Sequence, residues 1–535
     1  MTRKRSPAAS GIVLMLALVI GGWLIQRGMG RSDAVVVEAR LLDEMVDYIA
    51  DLYVEDVDRQ QLYEYAIEGI LEELGDPNTS VLDTSAYEDF RIQTEGDYGG
   101  LGIEITDRDE YITVVAPLPG TPASRAGIRT GDRIIEVAGE GARGWSVQEA
   151  VRMLRGSPGS SVDVLMERPG VEAPIPFTIK RERIRLRSVP FGLLLEDSVG
   201  YVPLRVFSET ATREVRAVAD SLLDEGATSL ILDLRGNPGG VLDQGLGVAD
   251  LFLPDGTDVV DTRGDDRGIN GMLRASSEDH YEGVPLVVLV DRGSASASEI
   301  VAGSLQDHDR ALLVGTSTFG KGSVQTLLYL PGGNMLKLTT ARWFTPLGRS
   351  IERTGDGPDG EDPPSGHLAL DIMGRAALPA DTAGRPVVTS QGGRPLFGGG
   401  GIVPDVLARV DTLSADEQAA VRLLFEEAAG YSLARFDYAV RYLQERPASG
   451  GAPDFELTGA EAEELLALLQ ADTDLEPGSG ILPDAQRFVE IDLELEIALQ
   501  GWGEIGEFRR RTPYDAPLQA ALGVLRGADS PEDLF

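Results

Sequence analysis

The spacing of hydrophobic residues changes several times along this chain of 535 residues. Between residues 37 and 74, apolar side chains recur every three or four positions, which predicts two amphipathic helices. Between residues 95 and 183, short apolar runs are separated by glycine turns, which predicts strands and one short helix from Ser146 to Leu154. From 184 to 352, apolar strands alternate with helical stretches, and this alternation predicts a mostly parallel sheet.

These changes divide the chain into segments of a predicted α/β multidomain protein. They are an N-terminal signal anchor (1–32), a helical subdomain (33–94), a small β domain (95–183), an α/β core (184–352), a Gly/Pro-rich insertion (353–398), a return segment of the core (399–410) and an acidic helical extension (411–535). In the extension, Ser414–Glu417 and Thr458–Glu461 are predicted to be capping boxes that open helices. The role of the extension is left open between dimerisation into a homo-oligomer, adaptor docking and plain packing.

The N-terminus has the pattern of a targeting segment. Three basic residues, Arg3, Lys4 and Arg5, precede an uncharged run that is apolar from Gly11 to Ile25. Such a run could just span a bilayer, and the basic residues before it favour placing the rest of the chain outside the cytoplasm. No clear small-x-small cleavage site follows, so a retained anchor is favoured over a cleaved signal peptide. We therefore expect a protein anchored in the inner membrane, with the domains after residue 32 in the periplasm.

Charge and cysteine content exclude several classes of function. The chain has 48 basic and 87 acidic residues and a formal net charge of −39, so nucleic acids and anionic lipid surfaces are poor partners. It has no cysteine, which excludes disulfides, thiol nucleophiles and thiolate metal sites. No His-Glu-x-x-His motif is present, and we expect neither a metal nor another cofactor.

The candidate chemistry lies in two short segments of the predicted core. Ser296 stands in Asp-Arg-Gly-Ser-Ala-Ser-Ala-Ser-Glu-Ile, and Lys321 and Gln325 stand in Phe-Gly-Lys-Gly-Ser-Val-Gln. Only four of the 48 basic residues are lysines, and a general base must be able to lose its proton, which arginine cannot do. An apolar environment, such as Phe319 and the adjacent strand could supply, favours the neutral lysine that can act as a base. Lys321 and Gln325 are predicted to share one face of a strand because they are four residues apart.

A glycine-rich segment, Asp-Leu-Arg-Gly-Asn-Pro-Gly-Gly, ends at Gly240 and predicts an oxyanion cradle. Ser296 falls where a strand ends and a helix begins, a position that leaves backbone N–H groups free. We expect the oxyanion to be held by the N–H of Ala297 together with that of Gly239 or Gly240.

The small β domain resembles a PDZ domain. A glycine loop that feeds a strand, a Gly-Asp turn and a short helix follow one another in the order that this fold uses. Such a loop could bind a terminal carboxylate through its backbone N–H groups while the peptide pairs with the adjacent strand. The expected peptide-binding residues are Gly100, Leu101, Gly102, Ile103, Val151, Leu154 and Arg155. Arg155 is equally compatible with a link to the catalytic domain and with a solvated charge at the helix end.

Taken together, residues 35–352 and the return segment resemble the carboxyl-terminal processing peptidases, also called tail-specific proteases. The resemblance implies a crotonase-like or ClpP-like core in which Ser296 is the nucleophile, Lys321 the general base and Gln325 the residue that orients the lysine. The family's spacing between serine and lysine selects Ser296 over Ser294 and Ser298. The insertion at 353–398 departs from the family pattern.

The predicted function is therefore a serine endopeptidase that recognises free apolar C-termini of extracytoplasmic proteins through its PDZ domain. A catalytically idle scaffold that only binds C-terminal peptides is the alternative. The presence of both predicted catalytic residues favours the enzyme.

Overall fold

The structure is a computed structural model that describes residues 37–535 with gaps. The gaps are residues 109, 119, 169–170, 172, 197, 266–269, 354–368, 371–375, 378–381, 383, 409–411, 428–430, 447–454, 456, 458 and 473–480. The chain forms two compact units. Among the described residues, the first contains 37–81 together with Leu336–Leu338, and the second contains the rest.

The first unit is built mainly from two helices. They are α1 (37–52) and α2 (Arg59–Leu74), and a short strand, β1 (Ser80–Leu82), follows them. Asp58 caps α2 by accepting hydrogen bonds from the backbone N–H groups of Gln60 and Gln61. Within residues 37–74, only the side chain of Val46 is buried, although the apolar positions recur at helical spacing.

The small β domain of the second unit follows a helix, α3 (Thr84–Glu95). Its elements are β2 (Asp97–Gly100), β3 (Ile103–Arg108), β4 (Tyr111–Pro117), α4 (Pro122–Ala126), β5 (Arg133–Val137), β6 (Glu140–Gly141), α5 (Val147–Leu154), β7 (Ser161–Glu167), β8 (Ile175–Lys180) and β9 (Glu182–Arg185). The main sheet has the order β3-β4-β5-β7-β8, with β6 beside β5, and β2 pairs with β9 separately. Strand β3 therefore lies at the edge of its sheet, next to α5.

The core is an α/β domain around a six-stranded sheet. Its elements are β10 (Leu193–Leu195), β11 (Val199–Pro203), α6 (Ala211–Asp224), β12 (Ser229–Asp233), α7 (Leu242–Asp250), β13 (Asp258–Gly264), β14 (Gly271–Arg274), β15 (Leu286–Val290), α8 (Ala297–Asp307), β16 (Leu312–Gly315), β17 (Ser323–Tyr329) and β18 (Met335–Phe344). The sheet has the order β10-β11-β12-β15-β16 followed by β23 (Val406–Leu407) from the return segment. All of its pairings are parallel except β10 with β11.

A second, smaller sheet contains β13, β14, β17 and β18. Four short strands follow it in the chain, namely β19 (Ala369–Leu370), β20 (Ala376–Ala377), β21 (Val387–Thr389) and β22 (Pro395–Phe397). Most of the predicted Gly/Pro-rich insertion lies outside the described residues.

The C-terminal extension is helical. Its helices are α9 (Ala415–Glu427), α10 (Tyr431–Glu445), α11 (Gly459–Asp472), α12 (Ile481–Arg511) and α13 (Ala516–Leu525). The predicted capping box at Ser414 is present, since the Ser414 N–H donates to Glu417 Oε2 at 2.7 Å and the Glu417 N–H donates to Ser414 Oγ at 3.2 Å. The second predicted box begins at Thr458, which lies outside the described residues.

The structure contradicts the prediction of an inner-membrane anchor. Among the residues that the structure describes, no helix combines the length and the apolar character that crossing a bilayer requires. Helix α12 has 31 residues, but charged side chains are spread along it. The predicted anchor itself, Gly11–Ile25, lies outside the described residues.

Candidate active site

Ser296 occupies a strained position between a strand and a buried helix. β15 ends at Val290, a loop of five residues follows, and Ser296 is the N-cap of α8. Its φ of 54° and ψ of −112° lie in a region that non-glycine residues rarely adopt, at a cost of about 1–3 kcal/mol. All residues of α8 are buried, so the packing of this helix holds the strained residue in place.

The three serines of this loop have different environments. The Ser294 and Ser298 side chains are buried, and their hydroxyls donate to the backbone carbonyls of Leu234 at 2.8 Å and Asn237 at 2.9 Å. Ser296 is only half-buried, and the Glu299 N–H donates to its backbone carbonyl oxygen at 2.9 Å. Of the three hydroxyls, that of Ser296 is therefore the best placed to react.

A buried carboxylate, Glu299, connects the two segments of the predicted site. Its Oε2 accepts the backbone N–H of Ser296 at 2.8 Å and the backbone N–H of Lys321 at 2.9 Å. Its Oε1 accepts the Thr318 hydroxyl at 2.6 Å and the Gly320 N–H at 2.7 Å. Burial raises the pKa of Glu299 above its ordinary value, while these four hydrogen bonds act to lower it.

Lys321 lies just before a strand rather than inside one. β17 begins at Ser323, because the Lys321 N–H is bound by Glu299 and its carbonyl oxygen accepts the Trp343 indole N–H at 3.1 Å. Lys321 is half-buried, and Phe319, which was expected to shield it, is 51% exposed and gives only partial cover.

Gln325 lies inside β17, and its side-chain amide is used locally. Its Nε2 donates to Ser323 Oγ at 2.9 Å and lies 3.5 Å from Thr339 Oγ1. The prediction that Gln325 orients Lys321 stays a prediction.

The glycine segment runs directly beside the serine. A Cβ on Gly239 would lie 2.9 Å from the Ser296 Cβ and 3.0 Å from the Ala297 nitrogen, and its φ is 97°, so only glycine fits there. The Gly239 N–H donates to Asn237 Oδ1 at 2.9 Å and is therefore already used. Among the described residues, the N–H groups of Ala297 and Gly240 have no acceptor. This arrangement favours Ala297 with Gly240, rather than with Gly239, as the pair of oxyanion donors.

The glycine loop of the small β domain also presents free backbone donors. Gly100 ends β2, Ile103 begins β3, and between them the N–H groups of Leu101 and Gly102 have no acceptor among the described residues. The side chains of Leu101 and Leu154 are buried in the core of the domain. Ile103 and Val151 are half-buried and are thus better placed to contact a ligand.

Arg155 contacts α3 and the neighbouring aromatic ring. Its Nη1 lies 2.6 Å from Asp89 Oδ1, and its guanidinium lies 5.2 Å from the centre of the Tyr98 ring. The C-terminal end of α3 in turn contacts the core, because the Thr94 carbonyl accepts the Glu209 N–H at 2.9 Å. One connection from Arg155 to the core thus runs through α3.

The sequence analysis assigned no role to Glu299, Thr318 or Asn237. The Ser-x-x-Glu spacing of Ser296 and Glu299 is a capping-box signal that could have identified the glutamate. Asn237 lies within the glycine-rich segment ending at Gly240, but the pattern does not show which glycine its side chain binds, and Thr318 is brought to the site by the fold alone. In the part of the chain that the structure describes, no group of three or more acidic or histidine side chains could hold a metal ion.

Three family models match separate parts of the chain. Residues 198–361 match peptidase family S41, residues 113–168 match a PDZ domain, and residues 28–86 match the activating protease CtpB N-terminal domain.

Several known proteins are similar to the chain. A carboxy-terminal-processing protease from Bartonella bacilliformis is 40% identical over 322 residues, which cover 59% of this chain and 73% of that protein. The solved structure of a photosystem II D1 C-terminal processing protease is 34% identical, with a TM-score of 0.34, and the match covers 56% of this chain and 82% of that one. A PDZ domain of a carboxy-terminal protease from Vibrio cholerae, solved with a peptide, is 29% identical, with a TM-score of 0.16, and covers 17% of this chain and 99% of that one.

Proposed function

Because this chain belongs to the carboxy-terminal processing proteases of peptidase family S41, which are serine-type peptidases, we propose that it cleaves peptide bonds with Ser296 as nucleophile and Lys321 as general base. One observation carries the proposal. The same oxygen of the buried Glu299 binds the backbone N–H groups of Ser296 and Lys321, so the two segments are held together at the start of α8.

The proposed reaction has two stages. The neutral amine of Lys321 takes the hydroxyl proton of Ser296 while Oγ bonds to the carbonyl carbon of the peptide bond. The tetrahedral intermediate collapses, the C–N bond breaks, and the lysine ammonium gives its proton to the leaving amine. Water, deprotonated by the lysine, then attacks the carbonyl carbon of the acyl-enzyme. The bond from this carbon to Oγ breaks, the lysine ammonium returns its proton to Ser296, and the second product leaves.

The negative charge of the intermediate requires hydrogen-bond donors that are already in place. The N–H groups of Ala297 and Gly240 fulfil this role in the proposal, because neither has an acceptor in the described part of the chain and Gly240 follows the glycine that touches Ser296. A single donor of this kind is worth about 3 kcal/mol in the transition state. Gln325 keeps its proposed role of orienting the lysine.

Substrate selection is assigned to the PDZ domain. Its edge strand β3 can pair with an extended peptide, and the free N–H groups of Leu101 and Gly102 can bind the terminal carboxylate. The proposed substrates are therefore proteins and peptides with free, apolar C-termini. That these substrates are extracytoplasmic stays a prediction.

The proposal is tested on one peptide substrate with an apolar C-terminus. Ser296→Ala and Lys321→Arg should each abolish cleavage, because the first removes the nucleophile and the second keeps the charge but cannot act as a base. Lys180→Arg, on an exposed position of β8, is the matched control and should keep full activity. Turnover by the Lys321→Arg variant would rule out the lysine base. Peptide binding without cleavage by the unmodified protein would identify an idle scaffold.

A further inference from the structure

The C-terminal extension covers one face of the core sheet. Its Phe508, Leu518, Ala521, Leu522 and Leu525 are buried in one cluster with residues of β11, β12, β15 and β16. The rings of Phe508 and Tyr201 stack with their centres 4.3 Å apart. The end of the extension is therefore part of the folded core rather than a free surface for a partner.

Within this contact, the extension buries one carboxylate. Asp515 is fully buried at the start of α13, where its Oδ1 accepts the Leu518 N–H at 3.2 Å. The same oxygen accepts Nη1 of Arg235 at 2.7 Å. Arg511 is the nearest further cation, with Nη1 3.8 Å from Oδ2. The charge of Asp515 is thus directed mainly at Arg235.

Arg235 is held by a second buried carboxylate. Its Nε and Nη2 donate to Asp233, with the shortest contact 2.6 Å from Nη2 to Oδ2, and the Tyr201 hydroxyl donates to the same oxygen at 2.7 Å. Burial acts to raise the pKa of Asp233, but the guanidinium outweighs it and lowers the pKa to about 2. Burial likewise acts to raise the pKa of Asp515 and Arg235 acts to lower it, and the net result is a lowered pKa. Both carboxylates are therefore ionised at neutral pH.

Arg235 begins the loop that lies against Ser296. Two residues later, Asn237 fixes Gly239 through its side chain, and its carbonyl oxygen accepts the Ala295 N–H at 3.0 Å and the Ser298 hydroxyl at 2.9 Å. The position of Arg235 therefore affects Gly239 as well as Ala295 and Ser298, which lie before and after Ser296 in the chain. A shift of this loop by a few tenths of an ångström would move the Gly240 N–H relative to the reacting carbonyl.

We propose that Asp515 is a positioning residue for peptide-bond cleavage: its carboxylate holds Arg235, so that the loop from 235 to 240 keeps the oxyanion donors in place. The inference rests on the proposed function. It gives the extension a part in transition-state stabilisation, although no residue of the extension touches the substrate in this mechanism.

The test is Asp515→Asn in the full chain. Asparagine keeps the shape and can still cap α13, but it loses the charge-assisted hydrogen bond to Arg235. We expect kcat to fall by about tenfold with little change in KM, since the oxyanion donors act in the transition state and not on the bound substrate. A peptidyl boronic acid, whose serine adduct is tetrahedral, should lose affinity by the same factor. Binding of a tail peptide to the PDZ domain, measured by fluorescence anisotropy, should not change.

The matched control is Arg526→Gln. Arg526 joins the same extension to Glu196 of the core by a surface ion pair, so its loss should leave kcat and boronic acid affinity within about twofold. Arg235→Lys is the second variant, since lysine keeps the charge but cannot bind both carboxylates in the same way. It should show the same loss in kcat, and the double variant should lose less than the product of the two single losses.

An Asp515→Asn enzyme with unchanged kcat and unchanged boronic acid affinity overturns the proposal, as does a loss confined to KM. Unfolding of both the Asp515→Asn and Arg235→Lys proteins, seen by circular dichroism, overturns it too, because the contact would then be purely structural. The proposed function fails separately: in that case Ser296→Ala would retain cleavage, whatever the result at Asp515.

Discussion

Two loops of this protein offer glycine-rich backbone N–H groups to a negative charge, yet they are held in place very differently. The loop beside Ser296 is fixed by buried polar side chains, above all Arg235 and Asn237, while the buried Glu299 fixes the backbone of Ser296 itself. The PDZ loop is held mainly by backbone bonds and by Thr121, whose hydroxyl donates to the Leu118 carbonyl at 2.7 Å and lies 3.0 Å from the Gly102 oxygen.

The difference follows from the charges that the two loops would bind. The oxyanion forms only during the reaction, in the tetrahedral intermediate and the transition states beside it. Its donors must therefore be in place beforehand, and any displacement of them lowers kcat. A terminal carboxylate is present throughout binding and can draw its donors into place. We therefore expect disturbance of the first loop to lower kcat and disturbance of the second to raise KM.

The largest effect is expected from Glu299→Gln. Glutamine replaces one acceptor oxygen by an NH₂ group that would face N–H or O–H donors, in a site where breaking a buried charged network costs about 3–5 kcal/mol. We expect kcat to fall by about 1,000-fold or more, which corresponds to about 4 kcal/mol. Steady-state kinetics together with the melting temperature would measure this.

The raised pKa of Glu299 also predicts that activity depends on pH. Its pKa is raised, so the carboxyl takes up a proton at a less acidic pH than an ordinary glutamate, and the protonated form can no longer accept all four hydrogen bonds. Activity should therefore fall as the pH falls through this raised pKa. Glu225→Gln, at the exposed end of α6, is the control and should leave the profile unchanged. Near-normal activity of Glu299→Gln would contradict the role of Glu299 in holding the Ser296 and Lys321 segments together.

Replacing one glycine of each loop by alanine allows a direct comparison of the two loops. Gly239→Ala would place a Cβ against Ser296, and we expect kcat to fall by about 100-fold, as for loss of an oxyanion donor. Gly102→Ala would place a Cβ 2.4 Å from the Thr121 Cβ, so the carboxylate loop must shift. We expect this second variant to raise KM for tailed substrates while kcat stays within a few-fold. Full Michaelis–Menten curves for both proteins distinguish the two outcomes.

Substitutions at two further glycines serve as controls that distinguish a steric clash from backbone strain. Gly256 in the core and Gly139 in the PDZ domain also have positive φ, of 78° and 86°, but a Cβ on either would meet no atom within 4 Å. Alanine at these two sites should therefore leave kcat and KM nearly unchanged. If Gly239→Ala lowered activity only through KM, the contrast between the loops would be lost.

The next effect concerns the ligand of the second loop. One substrate made with a free and with an amidated C-terminus differs only in the charge that the Leu101 and Gly102 N–H groups would bind. We expect amidation to lower kcat/KM by about tenfold, the equivalent of about 1.4 kcal/mol. The Gly102→Ala enzyme should discriminate less between the two peptides. Equal kcat/KM for both peptides with the unmodified enzyme would refute tail recognition.

The sequence predicted the α/β class and the family because both depend on local patterns, such as alternating strands and helices and the motifs around Ser296 and Lys321. It did not predict the residues that hold the site. Asp515 and Arg235, or Thr318 and Glu299, are far apart in the chain and meet only after folding. The strand predicted around Lys321 begins two residues later for the same reason, because a side chain from α8 binds the Lys321 N–H.

The smallest effect is expected at Arg155, the proposed link between the PDZ domain and the rest of the second unit. Its side chain is 32% exposed and that of its partner Asp89 is 58% exposed, so this ion pair is worth at most about 1 kcal/mol. The contact with the Tyr98 ring adds about 0.5–1 kcal/mol. Arg155→Ala should therefore lower the melting temperature by a few degrees and change kcat/KM by about twofold or less. Asp89→Ala is the matched variant, because it breaks the ion pair and leaves the ring contact. A loss of tenfold or more in kcat/KM with Arg155→Ala alone would show that the arginine, and not its bond to α3, couples the PDZ domain to catalysis.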